Sequence, residues 1–117
     1  MIGRVRHRRE FEELSRGRRA RTETLWCRYV DDPQLVPPRL AFAIGRAVGP
    51  AVRRNRLRRR LRAIVRAAAS PGGRLDHGGL LIGAAPAAVE QSFAQLRDEV
   101  GRLLDAVSNA RRGVADE

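Results

Sequence analysis

Apolar residues recur along this chain with two periods, and the change of period marks its elements. Between Ala51 and Ala69, the residues Leu57, Leu61, Ile64, Val65 and Ala68 stand at offsets of four, seven, eight and eleven, which lays one apolar stripe along a helix. Pro50 stands where a helix can begin without its amide, and Ser70-Pro71-Gly72-Gly73 stops it. A second stripe, Val89, Phe93, Leu96, Val100, Leu103, Leu104 and Val107, predicts a last helix entered through a turn at Ala84 to Ala88. The tail over residues 108–117 reads as frayed. A short helix is predicted from His7 to Ser15, with Phe11 and Leu14 on one face and Gly17 as its stop.

The intervening runs read as strands. Thr22 to Val30 is rich in β-favouring residues. As a strand it puts Thr24, Trp26, Arg28 and Val30 on one face and Leu25, Cys27 and Tyr29 on the other. Both faces are partly apolar, so the choice of covered face stays open. Asp31-Asp32-Pro33 and Pro37-Pro38 mark a connection, Arg39 to Ile44 a second strand, and Leu80 to Ile82 a short buried third. Arg18 to Arg21 is a loop or one further strand, and residues 1–6 form a basic N-terminal arm. Helices and strands mixed in this way over residues 1–117 predict one domain, an α/β (α+β) two-layer sandwich. Helices would cover one face of a small mixed sheet and leave the other open.

Charge changes this picture from a fold to a surface. The 24 basic residues are all arginine, and against 13 acidic ones they leave a net charge of +11. From Pro33 to Leu75 there are eleven arginines and no acidic residue, so one segment carries a charge equal to that of the whole chain. Such a concentration is expected where one surface faces a polyanion. Eight of the fourteen residues from Arg53 to Arg66 are arginine. With Leu57 and Leu61 turned inward, Arg54, Arg58 and Arg62 form a ridge beside the stripe, Arg59 and Arg66 lie on the back, and Arg53 and Arg60 flank the other side. Like charges four apart disfavour a helix; bound phosphates would relieve them, and guanidinium forks suit phosphate oxygens. Asn55 can pair with a sugar or base edge, or with nearby backbone. Gly45 and Gly49 permit close backbone approach before the helix, whose first amides favour an anion.

Other chemistries are poorly supplied. Cys27 is the sole cysteine and His7 and His77 the only histidines, which excludes an intrachain disulfide and a four-ligand Cys/His metal site. Asp31-Asp32 and Asp76-His77 have no spacing with mechanistic meaning, so no catalytic or dedicated metal residue is expected in the protein. No run approaches a membrane span and the basic N-terminus has no apolar stretch behind it, which makes a cytoplasmic protein the expectation.

The chain resembles the bacterial ribonuclease P protein component, and does so from about Val5 to Val107. The resemblance opens with Arg8-Arg9-Glu10-Phe11 and Arg16-Gly17-Arg18-Arg19. It culminates in Gly49, Ala51-Val52, Arg54-Asn55-Arg56, Arg58-Arg59 and Arg62. It implies a fold like the second domain of ribosomal protein S5, with a left-handed β-α-β crossover. It also implies an accessory subunit of an endoribonuclease whose catalysis resides in RNA. That RNA uses Mg²⁺ to hydrolyse the 5′ leader from precursor tRNA, so the protein need supply no general base. By the same resemblance Arg46, Gly49, Arg53, Arg54, Asn55, Arg56, Arg58, Arg59, Arg62 and Arg66 contact the catalytic RNA. Phe11, Leu14, Tyr29 and Trp26 would line a cleft for the single-stranded leader, with Trp26 or Phe42 belonging instead to the core. The implied partners are the catalytic RNA and precursor tRNA, with no membrane and no obligate protein partner.

The chain departs from the family pattern in four places. Leu14 stands near a usual aromatic, Pro50 replaces a frequent asparagine, and Ala47 replaces a basic residue. Gly83-Ala84-Ala85-Pro86 lacks the basic residue many relatives carry. The alternative is a ribosomal or general structured-RNA-binding protein with no role in tRNA processing, which would need only the basic surface. A DNA-binding helix is disfavoured because an extended strand, not a helix-turn-helix, precedes it.

Overall fold

The strand pattern resolves into a five-stranded mixed sheet. The computed structural model describes residues 2–4, 12–14, 16–69 and 73–116, with side chains for all of these except 3, 4 and 109–116. The strands are β1 (Gly3–Arg4), β2 (Arg18–Arg21), β3 (Leu25–Val30), β4 (Arg39–Ala43) and β5 (Gly79–Ala84), and the sheet order is β1-β4-β5-β3-β2. β1 and β5 flank β4 in parallel, and β3 pairs antiparallel with both β5 and β2. The helices are α1 (Ala51–Ala68), which carries the chain from β4 to its parallel neighbour β5, and α2 (Phe93–Asp116).

Both helices lie on one face of the sheet. Leu57, Leu61, Ile64 and Val65 of α1 and Leu96, Val100, Leu103, Leu104 and Val107 of α2 are buried in one core. From below, β3 supplies Leu25, Cys27 and Tyr29, β4 supplies Leu40, and β5 supplies Leu80 and Ile82. The alternation of β3 is thereby settled, with Trp26, Arg28 and Val30 turned to the opposite face. Burial pushes the Cys27 thiol up to about 11, so it packs as a small apolar group rather than a nucleophile.

Four expectations change. Two residues of the N-terminal arm, Gly3 and Arg4, pair with Arg39 and Leu40 as an edge strand; of the two readings open for Arg18–Arg21, the strand is the one that forms. Val89 lies in a 3₁₀ turn, Pro86–Glu90, and not in the last helix. That helix begins only at Phe93 because Ser92 and Gln95 form a reciprocal capping box: Gln95 N–H donates to Ser92 Oγ at 3.1 Å and Ser92 N–H to Gln95 Oε1 at 2.8 Å. Phe93 is consequently on the first turn and 41% exposed instead of in the core. At its other end α2 continues past Ser108. Most of the helix predicted over residues 7–15 lies outside the described residues, and 12–14 are helical.

Glu99 joins α2 to the β2–β3 turn. Only 2% exposed, its carboxylate accepts from Thr22 Oγ1 at 2.7 Å, Thr24 N–H at 2.8 Å, Thr24 Oγ1 at 2.7 Å and Gln91 Nε2 at 3.1 Å. Burial raises the pKa of this group. The hydrogen bonds from Thr24, Thr22 and Gln91 outweigh it and hold the carboxyl below its ordinary value. Beside the same turn, Arg102 clasps Glu23 at 3.0 and 2.7 Å.

Candidate nucleic-acid interface

The β4–α1 connection is built around backbone groups that α1 itself holds. A 3₁₀ turn, Arg46–Val48, ends at Gly49, whose φ of 142° lies in a region that side chains disfavour. Pro50 caps α1 without a side-chain hydrogen bond, and the first amide to bond back is that of Arg54, to the Pro50 carbonyl at 3.0 Å. No acidic residue occupies the first turn, so the positive end of the helix dipole adds to the arginine charge.

The two flanks of α1 use their arginines differently. On one flank Arg54 Nε donates to the Gly49 carbonyl at 3.1 Å. Arg58 donates to the Ile44 carbonyl at 2.9 Å and to Asn55 Oδ1 at 3.0 Å. Arg62 lies over the Phe42 ring, 5.4 Å from its centroid, a cation–π distance. This ridge therefore fastens the connection and the edge of the sheet, and its guanidinium groups are half-buried. On the other flank Arg53 and Arg56 are exposed. With Arg60 they line a cavity of about 320 Å³ against the 3₁₀ turn at Pro86–Glu90. Arg46, Asn55, Arg59 and Arg66 are exposed, and Val52 stands 80% exposed among them.

A second basic surface occupies the open face of the sheet. The Trp26 indole lies flat against Gly83 of β5, so closely that no side chain at 83 would leave it in place. Arg19 and Arg21 of β2 and Arg28 of β3 flank Trp26 around a groove of about 400 Å³. Leu14 packs on Gly79 in the same way at the other end of β5. Alternation along β2 and β3 carried the signal for these three arginines, which the helix-centred reading passed over.

The β5 end nearest Leu14 holds a polar cluster that no sequence spacing announced. His77 bonds through Nε2 to Asp31 at 2.5 Å and through Nδ1 to Asp76 at 2.6 Å, while Tyr29 Oη donates to the His77 carbonyl at 2.9 Å. The hydrogen bond to Asp31 is the largest influence on the imidazole and raises its pKa; burial opposes it, and the hydrogen bond to Asp76 and the charge of both carboxylates add to the rise. Among the described residues no group of His, Cys, Asp and Glu is arranged to hold a metal ion, and no helix is long and apolar enough to cross a membrane.

The family described as ribonuclease P matches residues 3–108. The chain belongs to the ribonuclease P protein family. It is 43% identical over 76 residues to the ribonuclease P protein component of Acidothermus cellulolyticus, covering 63% of this chain and 60% of that protein. It is 33% identical over 96 residues to that of Thermus brockianus, covering 82% of this chain and 54% of the relative. The chain thus spans a little over half the length of these two relatives. The fold matches an RNase P protein mutant from Staphylococcus aureus with a TM-score of 0.79 at 17% identity, over 90% of this chain and 87% of the other. The mixed sheet covered by helices is therefore the ribonuclease P protein fold.

Within that fold the expected cleft residues separate. Trp26 is on the open face, and Phe42 packs toward the core. Tyr29 is a correction: it is 3% exposed on the helix-covered face, because it alternates in register with Leu25 and Cys27, and its hydroxyl is spent on His77. Leu14 is also only 3% exposed, so it seals the sheet beside Gly79 and offers no stacking surface. Phe11 lies outside the described residues. Of the helix residues expected to meet RNA, Arg54, Arg58 and Arg62 are engaged with the β4–α1 connection and β4, and Asn55 accepts from Arg58.

Proposed function

We propose that this chain is the protein subunit of ribonuclease P, which binds the catalytic RNA through α1 and the precursor tRNA leader through the open face of the sheet, assisting 5′ leader removal in the cytoplasm. The observation that carries this reading is the family motif itself: Gly49, Ala51-Val52 and Arg54-Asn55-Arg56 stand at the start of a helix that carries arginines on its outward faces and no acidic residue of its own. Arg46, Arg53, Arg56, Arg59 and Arg66 are the exposed groups available to phosphates, and Gly49 presents its backbone beside them. Arg54, Arg58 and Arg62 support that surface by holding the connection it is built on. Trp26, flanked by Arg19, Arg21 and Arg28, suits single-stranded RNA, whose bases stack on an aromatic face while phosphates meet guanidinium groups.

Hydrolysis belongs to the RNA, to which Mg²⁺ supplies the activated water and stabilises the leaving oxygen. The protein's share is electrostatic: it brings two polyanions together. The test is cleavage of precursor tRNA reconstituted at low magnesium with the catalytic RNA of the same genome. The folded chain should raise the cleavage rate, and absence of stimulation would overturn the assignment.

A further inference from the structure

The cavity on the second flank of α1 has a composition that phosphate binding alone does not explain. Arg53, Arg56 and Arg60 line it from the helix, and Ala88, Val89 and Glu90 line it from the 3₁₀ turn. Its volume, about 320 Å³, is at the small end for a ligand site and far below what a helix or duplex would need. Arg60 is steadied toward the turn by the Gln91 carbonyl at 3.4 Å. The side chains of Arg53, Arg56 and Glu90 make no hydrogen bond or ion pair within the described residues. A carboxylate here repels phosphate and lowers the potential of the very surface it adjoins. What it does favour is an N–H donor, such as the amino or imino edge of an unpaired base.

We propose that this recess takes one unpaired nucleotide of the catalytic RNA. Its phosphate lies on Arg53 and Arg56, its base rests on the apolar wall at Val89, and Glu90 accepts from the base's N–H edge. The inference rests on the reading of α1 as the RNA-facing helix, and it assigns to the Pro86–Glu90 turn a recognition role. Single-stranded RNA is read in this manner, by splayed bases held on their Watson–Crick edges. The wanted base is one with adjacent donors, guanine, whose N1–H and N2–H₂ stand side by side, rather than uracil.

The sign of one substitution decides the matter. If the recess holds phosphate only, removing the carboxylate strengthens binding; if Glu90 reads a base, removing it weakens binding. Affinity of the transcribed catalytic RNA for the full chain should fall about fivefold or more in Glu90→Ala, less in Glu90→Gln, with the salt dependence unchanged. Arg56→Ala should instead make the salt dependence shallower by about one ion. Chemical probing of base edges should show one nucleotide protected by the native chain and reactive with Glu90→Ala. Unchanged or tighter binding by both Glu90 variants, with no nucleotide deprotected, overturns the proposal. Cleavage stimulation by the native chain in the same preparations separates this failure from failure of the functional reading, and unchanged thermal unfolding of Glu90→Ala excludes misfolding as the cause of a loss.

Discussion

The two faces of the sheet are made by the same strands, residue by alternate residue, yet they have opposite constitutions. On the covered face Leu25, Cys27, Tyr29, Leu40, Leu80 and Ile82 meet two helices and leave almost no surface. On the open face Trp26 lies on Gly83 between arginines, with cationic groups turned to solvent that an apolar core would not accommodate. One face stabilises the molecule and the other is available to a polyanion. Substitutions should therefore separate folding from RNA binding according to the face they touch, and each of the following is a way to break that separation.

The largest effect belongs to the covered face. Leu61 is fully buried at the centre of α1, and Leu61→Ala should cost about 2–5 kcal/mol in chemical denaturation. Next comes the buried carboxylate that joins α2 to the strands. Glu99→Ala leaves the buried N–H and hydroxyl of Thr24 without an acceptor and should cost about 2–3 kcal/mol. Its pH dependence has a definite sign. Because the folded carboxyl is held below the ordinary 4.5, its contribution is complete above that pH and is lost as the pH falls through the folded value. Acid unfolding of the native chain should accordingly be steeper than that of Glu99→Ala.

On the open face the effect should move from stability to binding. Trp26→Ala should weaken precursor tRNA binding by the reconstituted enzyme by about 1–3 kcal/mol, the worth of one stacked base, with little change for mature tRNA. An equal loss on both substrates would show that Trp26 serves the fold and not the leader. Gly83→Ala reaches the same indole from beneath, since the added methyl group displaces it. The smallest effect is at His77, where partly exposed carboxylates hold the imidazole. Its folded pKa is raised, so its contribution is complete below the ordinary 6.5 and is lost as the pH rises through the folded value. His77→Gln should abolish that loss, a change of about 0.5–1 kcal/mol by thermal unfolding at matched salt.

Local pattern foretold a good part of this. The α1 stripe, its start after Pro50 and its end before the Ser70-Pro71 stop follow from periodicity and from the steric rules of proline and glycine. The strands Leu25–Val30, Arg39–Ala43 and Gly79–Ala84 fall within two or three residues of their expected bounds. The surplus of arginine between Pro33 and Leu75 marks the segment proposed to face RNA, because charges without acidic neighbours along the chain favour a counterion from outside. Where pattern failed, the signal was present but weaker than the one it competed with. The Ser92-Gln95 capping box sets the start of α2, while the longer apolar stripe drew the helix back to Val89.

What the sequence determined alone is every quantity set by neighbours along the chain: periods, caps, breaks and the sign of charge in each segment. Tertiary structure alone decided which side of β3 the helices cover, and hence that Tyr29 is core and Trp26 is open, since both sides are partly apolar and alternation cannot rank them. It also decided which arginines of α1 are engaged, because Ile44, Gly49 and Phe42 become their partners only once β4 lies beside the helix. Glu99 with Thr24, and His77 with Asp31, meet across 75 and 46 residues. Contacts of that span depend on how helices and strands pack, a choice made by the burial of the whole core and not by any local stretch of chain.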